Sequence, residues 1–305
     1  MLPSRPDLDP LPDPPDETSA SKLRGVAMFL AFLLVGGTIG FWIGDTIDDV
    51  EVSGAALIAA ILLGVPGVVA AHELGHVIGG QLAGWRFAMM IVGPLHVEKD
   101  GAGLRWKVNR SLGLAGGLAL SLPTDTVDLR RGTAMVVAGG PVASVLVGGL
   151  GLALGGAWAL VGVMSLFIGV ATVFPGRTGG FLTDGARLVR LAKGGPAADR
   201  EAALMSVLSE STAGTRPRDW NADLLEDAVA LEDEDPMETS AHSLAMLHAL
   251  DAGDGDAARR HLERRIELWN ATPTAIRGII ASDAAFFEAA VRHDAARART
   301  WLDRV

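Results

Sequence analysis

The residues best suited to chemistry lie together in the segment His72-Glu73-Leu74-Gly75-His76. Two residues four positions apart share one face of a helix, so the imidazoles of His72 and His76 can reach one metal ion. Glu73 lies one position further round, where its carboxylate can act as a base on a water molecule beside that ion. The pattern therefore predicts a zinc site of the hydrolytic type.

The surroundings of this motif are apolar. Between residues 53 and 83 the strongly polar side chains are His72, Glu73, His76 and Gln81. An H-E-x-x-H sequence is common by chance on soluble helices, but each polar side chain in a hydrocarbon span costs about 2–3 kcal/mol unless it has a role. We therefore favour metal binding over chance.

Composition limits the class of protein. Hydrophobic residues make up 49% of the 305 residues, and the mean hydropathy of +0.32 favours a membrane protein with a soluble part. The absence of cysteine excludes thiolate catalysis and cysteine zinc ligands, so any ligands are His, Asp or Glu. A net charge of −10 gives no support to nucleic-acid binding.

Apolar stretches predict a mainly α membrane protein with about four transmembrane helices. The first two spans are the runs 25–44 and 54–83, and we expect a kink near Pro66 in the second. The third and fourth divide the run 133–175 at a break near Gly155.

Charged residues predict the orientation of these spans. The loop 45–52 is acidic and has no basic residue. The basic residues after the second and fourth spans are Arg86, Lys99, Arg105, Lys107, Arg110, Arg130, Arg131, Arg187, Arg190 and Lys193. The positive-inside rule therefore places both termini and segment 84–132 in the cytoplasm of an integral membrane protein, which we expect in a bacterial cell membrane.

Segment 84–132 has strand character. The runs Phe87–Val97 and Leu104–Val108 flank an Asp100-Gly101 turn signal. We expect a short β-hairpin region at the membrane surface, whose edge could accept an extended peptide as an added strand.

Three domains are predicted along the chain. Residues 1–24, rich in Pro and Asp, form a disordered leader. Residues 25–194 form the transmembrane domain with the metal site. Residues 195–305 form a soluble, cytoplasmic α-helical domain of helical hairpins, similar to tetratricopeptide repeats but without a clean repeat.

Within the C-terminal domain, the runs Met237–Asp251 and Asp256–Asn270 predict one helical hairpin. A further helix is expected over Ser282–His293, with Ser282 or Asp283 as its N-cap. The acidic run Leu231–Asp235 is typical of a solvated linker. The histidines of this domain are expected to be solvated or packed.

A catalytic zinc site needs a third protein ligand. Asp184 is the best candidate, because it follows the fourth span on the side of the membrane expected for the histidines. Gly185 after it would allow a close backbone approach. Asp125 and Asp128 are rival carboxylates, but they are typical of loop or cap positions.

These motifs resemble those of the site-2 protease family of intramembrane zinc metalloproteases. His72–His76 matches the first motif of that family, and Pro175 followed by Asp184-Gly185 is similar to its second, an Asn-x-x-Pro segment leading to Asp-Gly. Gly139-Gly140-Pro141 in the third span resembles its Gly-Pro motif. The resemblance covers about residues 25–190.

The resemblance implies an intramembrane zinc metalloprotease that hydrolyses peptide bonds of membrane-embedded protein substrates. It implies Zn²⁺ as cofactor, with His72, His76 and Asp184 as ligands and Glu73 as catalytic base. The partners it implies are a transmembrane protein substrate and membrane lipid.

Two positions depart from the family pattern. Thr172 and Ser144 stand where the family often has Asn residues that help to position substrate, so both are expected to contact substrate. Their side chains can still form hydrogen bonds, but they are shorter than Asn. Rate or substrate preference could therefore differ.

Two other functions are open on the residues alone. The first is a catalytically weak or inactive membrane scaffold that acts through its helical C-terminal domain on a protein or peptide partner. The second is a metal transporter. Glu73 favours hydrolysis, since a scaffold does not need a general base and no further polar path crosses the spans.

Overall fold

The computed structural model describes residues 9–15, 63–101, 103–109, 116–124, 128–178 and 180–305. Its described part is mainly helical with a small sheet. The predicted first span 25–44, the loop 45–52 and the rival carboxylate Asp125 lie outside the described residues.

Three apolar helices form the centre of the molecule: α1 (Val65–Leu82), α2 (Leu129–Leu154) and α3 (Ala157–Val173). Both α1 and α3 pack on α2. The backbones of α1 and α2 come very close, because a Cβ added to Gly75 would lie 2.3 Å from the carbonyl oxygen of Gly139. Such glycine contacts are typical of helix pairs in lipid.

The prediction of four spans is not supported. Within the described residues, α2 is the one helix long and apolar enough to cross a membrane, and α3 is apolar but shorter. Two glycines with positive φ, Gly155 and Gly156, separate the two helices and shorten the second. Pro66 lies in the first turn of α1, which directly follows Leu63 and Gly64, two residues with π-helical geometry. The kink expected near Pro66 stays a prediction, because the chain before Leu63 lies outside the described residues.

A four-stranded antiparallel sheet follows α1. Its strands are β1 (Arg86–Val92), β2 (Leu95–Asp100), β3 (Gly103–Val108) and β4 (Leu118–Leu122), in the order β3-β2-β1-β4. The predicted hairpin is confirmed, with Asp100 paired to Gly103. The predicted strand Phe87–Val97 is two strands, because the chain turns at Gly93, where φ is +54°.

A short ribbon of β5 (Arg177–Thr178) and β6 (Phe181–Leu182) joins α3 to α4 (Asp184–Lys193). The C-terminal domain then consists of α5 (Pro196–Thr212), α6 (Ala222–Val229), α7 (Pro236–Ala252), α8 (Gly255–Glu267), α9 (Thr274–Ala290) and α10 (Ala295–Leu302).

The predicted hairpin of the C-terminal domain is confirmed, since α7 and α8 pack together and Gly253 ends α7 in the left-handed region. The predicted cap at Ser282 or Asp283 is wrong. Both residues lie inside α9, which begins directly after Pro273, and the Ser282 hydroxyl donates to the carbonyl of Gly278 over 2.8 Å.

The acidic run before α7 is exposed at residues 232–234, as expected of a solvated linker, but not at Asp235. Asp235 is buried, and its Oδ2 accepts hydrogen bonds from Arg177 at 2.8 Å and from Arg190 at 2.7 Å. Since Arg177 lies in β5 and Arg190 in α4, this carboxylate joins the C-terminal domain to the segment that follows α3.

The described part of the leader lies against the C-terminal domain. Leu11 is 1% exposed and belongs to the same apolar cluster as Phe287 of α9 and Trp301 of α10. The Pro- and Asp-rich composition of residues 1–24 gave no indication of this contact.

Candidate metal centre

His72, His76 and Asp184 meet at one point. The Nε2 atoms of the two histidines are 3.2 Å apart, which follows from their spacing on α1. Asp184 Oδ2 lies 3.2 Å from His72 Nε2, and its Oδ1 lies 3.6 Å from His76 Nε2. Three ligands about 2.0–2.1 Å from a tetrahedral ion are about 3.3 Å apart, so these separations fit one Zn²⁺.

Gly140 of α2 faces the same point. A Cβ at this position would lie 2.3 Å from His76 Nε2 and 2.8 Å from His72 Nε2. The glycine therefore leaves free the space in front of both ligand nitrogens, which an ion and its fourth ligand would need.

The other ring nitrogen of each histidine is also bonded. His72 Nδ1 lies 2.8 Å from the hydroxyl of Ser144, which is fully buried in α2. His76 Nδ1 lies 2.8 Å from the carbonyl oxygen of Val136, also in α2, to which it donates. Such contacts fix the tautomer, so that Nε2 of His76 carries the free lone pair, and they fix the ring orientation at metal sites.

Glu73 is buried beside this cluster. One carboxylate oxygen of Glu73 and one ring nitrogen of each histidine lie within 4.8 Å of one another, and this group could hold a metal ion. The backbone at Gly117, just before β4, lies against the carboxylate, because a Cβ there would lie 2.3 Å from Glu73 Oε1. The segment that leads into β4 therefore closes one side of the site.

Asp184 is positioned by the start of α4. The Thr183 hydroxyl accepts from the N–H of Ala186 at 3.3 Å, which begins the helix at Asp184. The close approach predicted for Gly185 is observed, since a Cβ there would lie 1.6 Å from the carbonyl oxygen of Val173 at the end of α3. A residue with a side chain at 185 would push Asp184 away from the histidines.

The structure brings some of the predicted residues together and leaves others apart. Ser144 contacts the ring of His72 and is fully buried. The hydroxyl of Thr172 donates to the carbonyl of Gly169 in its own helix at 3.3 Å. The rival carboxylate Asp128 precedes α2 with 58% of its side chain exposed.

Sequence reasoning missed three contributors to the site: Gly117, Val136 and the packing role of Gly140. Gly117 and Val136 act through main-chain atoms, and the identity of a residue does not indicate what its main chain contacts. Gly140 carried a signal, since it lies in the Gly139-Gly140-Pro141 motif, but the motif alone does not say which atoms it faces.

No match to the chain was found in comparisons with protein-family models, curated proteins and solved structures. The resemblance to the site-2 protease family therefore rests on the motifs of the sequence.

Proposed function

We propose that the chain is a zinc-dependent protease that cleaves membrane-embedded protein substrates. The observation that carries this proposal is the convergence of His72, His76 and Asp184 within 3.2–3.6 Å, with Glu73 buried beside them. Two imidazoles and one carboxylate, with no side chain at Gly140 in front of the histidine nitrogens, match the ligand set of hydrolytic zinc sites.

Each residue has a separate task in this reaction. Zn²⁺, when bound, polarises the scissile carbonyl and makes water a nucleophile at neutral pH. Glu73 accepts the proton of the attacking water and donates it to the leaving amine. Ser144 and Val136 hold the two imidazoles in the orientation that presents Nε2.

The outer surface of the helices supports a lipid environment for this reaction. Large apolar side chains are exposed on all three central helices: Leu74, Ile78, Leu82, Val142, Val145, Leu146, Leu150, Trp158, Val170 and Val173. Exposed apolar patches of this extent are unusual on soluble monomers. We propose that α1, α2 and α3 are embedded in the membrane, and that the substrate is a membrane-spanning segment.

The C-terminal domain is proposed to select or regulate substrate. Every proposed ligand and the base lie at or before Asp184, and the domain that follows is helical with its own buried apolar clusters. The ion pairs of Asp235 connect it to α4, the helix that begins with Asp184.

The proposal is tested with the full chain, purified in detergent. We expect about one zinc per chain by elemental analysis and cutting of a model transmembrane peptide. In cells, fragments of membrane proteins should accumulate with the wild-type chain and be absent with Glu73→Gln.

The matched control is His76→Ala. This variant removes one of the three proposed zinc ligands, whereas Glu73→Gln retains all three. A wild-type chain that binds zinc but cuts no membrane peptide and releases no fragment would overturn the protease proposal. That result would instead favour the alternative function, an inactive membrane scaffold that acts through its C-terminal domain.

A further inference from the structure

The leader of the chain fills a groove between α9 and α10, which we call the leader groove. Residues 9–15 have neither helix nor strand structure, and their neighbours in the groove are Glu288 of α9 and Arg297 of α10. Asp13 and Arg297, which form one of these contacts, are 284 residues apart in sequence.

The groove binds one side chain deeply. Leu11 is 1% exposed, and it lies in the apolar cluster that includes Phe287 and Trp301, both 0% exposed. Pro12 and Asp13 on its C-terminal side are exposed. Pro14 and Pro15 are half-buried, so Leu11 is the one fully buried side chain among the described leader residues.

Both main-chain groups of that leucine are bound as well. The N–H of Leu11 donates to Glu288 Oε1 at 2.8 Å, and its carbonyl oxygen accepts from the guanidinium of Arg297. The same guanidinium donates to Asp13 Oδ1 at 2.8 Å. The groove thus recognises an extended backbone, a leucine and a carboxylate two residues later.

Glu288 is the buried polar group that the leader groove offers to the main chain of the leader. It is 0% exposed, and its Oε2 accepts from Arg292, while its Oε1 accepts from the leader. A buried carboxylate oxygen that loses its donor is costly, so the fold has placed a polar group there for an incoming N–H.

The leader has the chemistry of a short linear ligand. Pro10 and Pro12 flank Leu11 and favour an extended conformation before binding, which lowers the entropy lost on docking. Peptide recognition by a buried side chain plus main-chain hydrogen bonds does not need secondary structure in the ligand.

We propose that the leader groove is a recognition site for an extended peptide, that residues 9–13 of the same chain are its ligand, and that this contact is reversible. In the structure Leu11 belongs to the buried apolar cluster of this domain, and the proposal is that this one member can leave the cluster. The proposal does not depend on the metal site.

The test uses a fluorescent peptide of residues 8–16 and the full chain in detergent, with a variant that lacks residues 1–15. The peptide should bind the leaderless chain at least tenfold more tightly than the wild-type chain, where the leader competes. Peptide with Leu11→Ala should bind at least tenfold more weakly, because the buried leucine is lost.

Two of the three aspartates of the peptide, Asp13 and Asp9, give a matched pair of variants. Asp13→Asn should weaken binding, because Asp13 pairs with Arg297. Asp9→Asn should leave binding unchanged, since Asp9 is exposed and has no ion pair among the described residues. Full-length Leu11→Asp is a second variant with a vacated groove and should also gain peptide binding.

A separate crosslinking experiment tests whether the leader in the groove belongs to the same chain or to another copy. Because the chain has no cysteine, Pro12→Cys with Ala296→Cys gives one specific pair for a flexible thiol-to-thiol crosslinker, and these exposed neighbours of Asp13 and Arg297 leave both contact side chains in place. A monomeric crosslinked band is expected. A dimeric band would show that the leader of another copy fills the groove and would overturn the intramolecular contact.

Two further outcomes would overturn the proposal. Equal peptide binding by wild-type and leaderless chains would show that the leader does not occupy the peptide site. Loss of folding in both the leaderless chain and Leu11→Asp would show that the leader is a permanent part of the core.

Discussion

Gly140 and His76 lie so close that a single added methyl group at residue 140 would overlap the ligand nitrogen, at 2.3 Å from Nε2. Gly140→Ala should therefore lower metal affinity at least tenfold. Gly149→Ala is the matched control on the same helix, because nothing lies within 4 Å of a Cβ there. Metal content after dialysis against a chelator measures both, and equal retention would show that the space beside His76 is not needed.

Glu73→Gln should abolish cleavage while zinc is retained. The amide has nearly the shape of the carboxylate but cannot accept the proton, and such a loss costs about 10²–10⁴-fold in rate. His72→Ala, His76→Ala and Asp184→Ala should lose both zinc and activity. Purified Glu73→Gln that still cuts a membrane peptide contradicts the assignment of the base.

Ser144→Ala should weaken zinc binding about 10–100-fold, because the ring of His72 loses its partner at Nδ1. Thr172→Ala is the control, since the hydroxyl of Thr172 contacts only a carbonyl of its own helix among the described hydrogen bonds. Competition with a zinc-sensitive dye measures both affinities. Equal affinities would mean that Ser144 does not orient the ligand.

Asp235→Ala should loosen the C-terminal domain from α4. The change removes the acceptor of Arg177 and Arg190 and leaves Arg190 unpaired at 14% exposure, and breaking a buried pair costs about 3–5 kcal/mol. Glu232→Ala is the control, because Glu232 is 73% exposed and pairs with Arg264 only at 3.9 Å. Limited proteolysis measures the effect. After residue 193, where α4 ends, Asp235→Ala should be cleaved faster than the wild-type chain, and Glu232→Ala should be cleaved at the wild-type rate.

Acid should destabilise the C-terminal domain through His242. Burial, and after it the nearby His261, lowers the pKa of His242 to about 4. Below about pH 6.5 the unfolded chain binds a proton that the folded one does not, so stability falls as the pH drops from 6.5 toward 4. The loss is at most about 3–4 kcal/mol, for about 2.5 pKa units at about 1.4 kcal/mol each.

Thermal unfolding of wild type and His242→Gln between pH 7 and pH 4.5 measures this effect. Gln cannot take up the proton, so the variant should lose less stability over that range. Parallel losses in both proteins would assign the pH dependence to other groups, such as His261, whose pKa burial also lowers.

How far the sequence predicts this molecule depends on the distance between interacting residues. The helix that carries the H-E-x-x-H segment and the α7–α8 hairpin were predicted correctly, because each depends on residues close together in sequence. Ser144 lies 72 residues from His72, and its contact depends on how α1 and α2 pack.

Two other differences between the sequence predictions and the structure concern the spans and the acidic run. Within the described residues, one of the predicted spans is long and apolar enough to cross a membrane; the break expected near Gly155 is observed, but it leaves α3 with 17 residues. The acidic run ending at Asp235 was interpreted from composition alone, which cannot show that two arginines from an earlier segment surround one of its carboxylates.

The contact between the leader and α10 also has a consequence for the order of synthesis. Leu11 emerges from the ribosome early, but Arg297 follows 286 residues later. At about 5–20 residues per second the leader remains undocked for on the order of 15–60 s. During that interval the leader is accessible to chaperones and proteases, and docking occurs only on chains whose synthesis has passed α10.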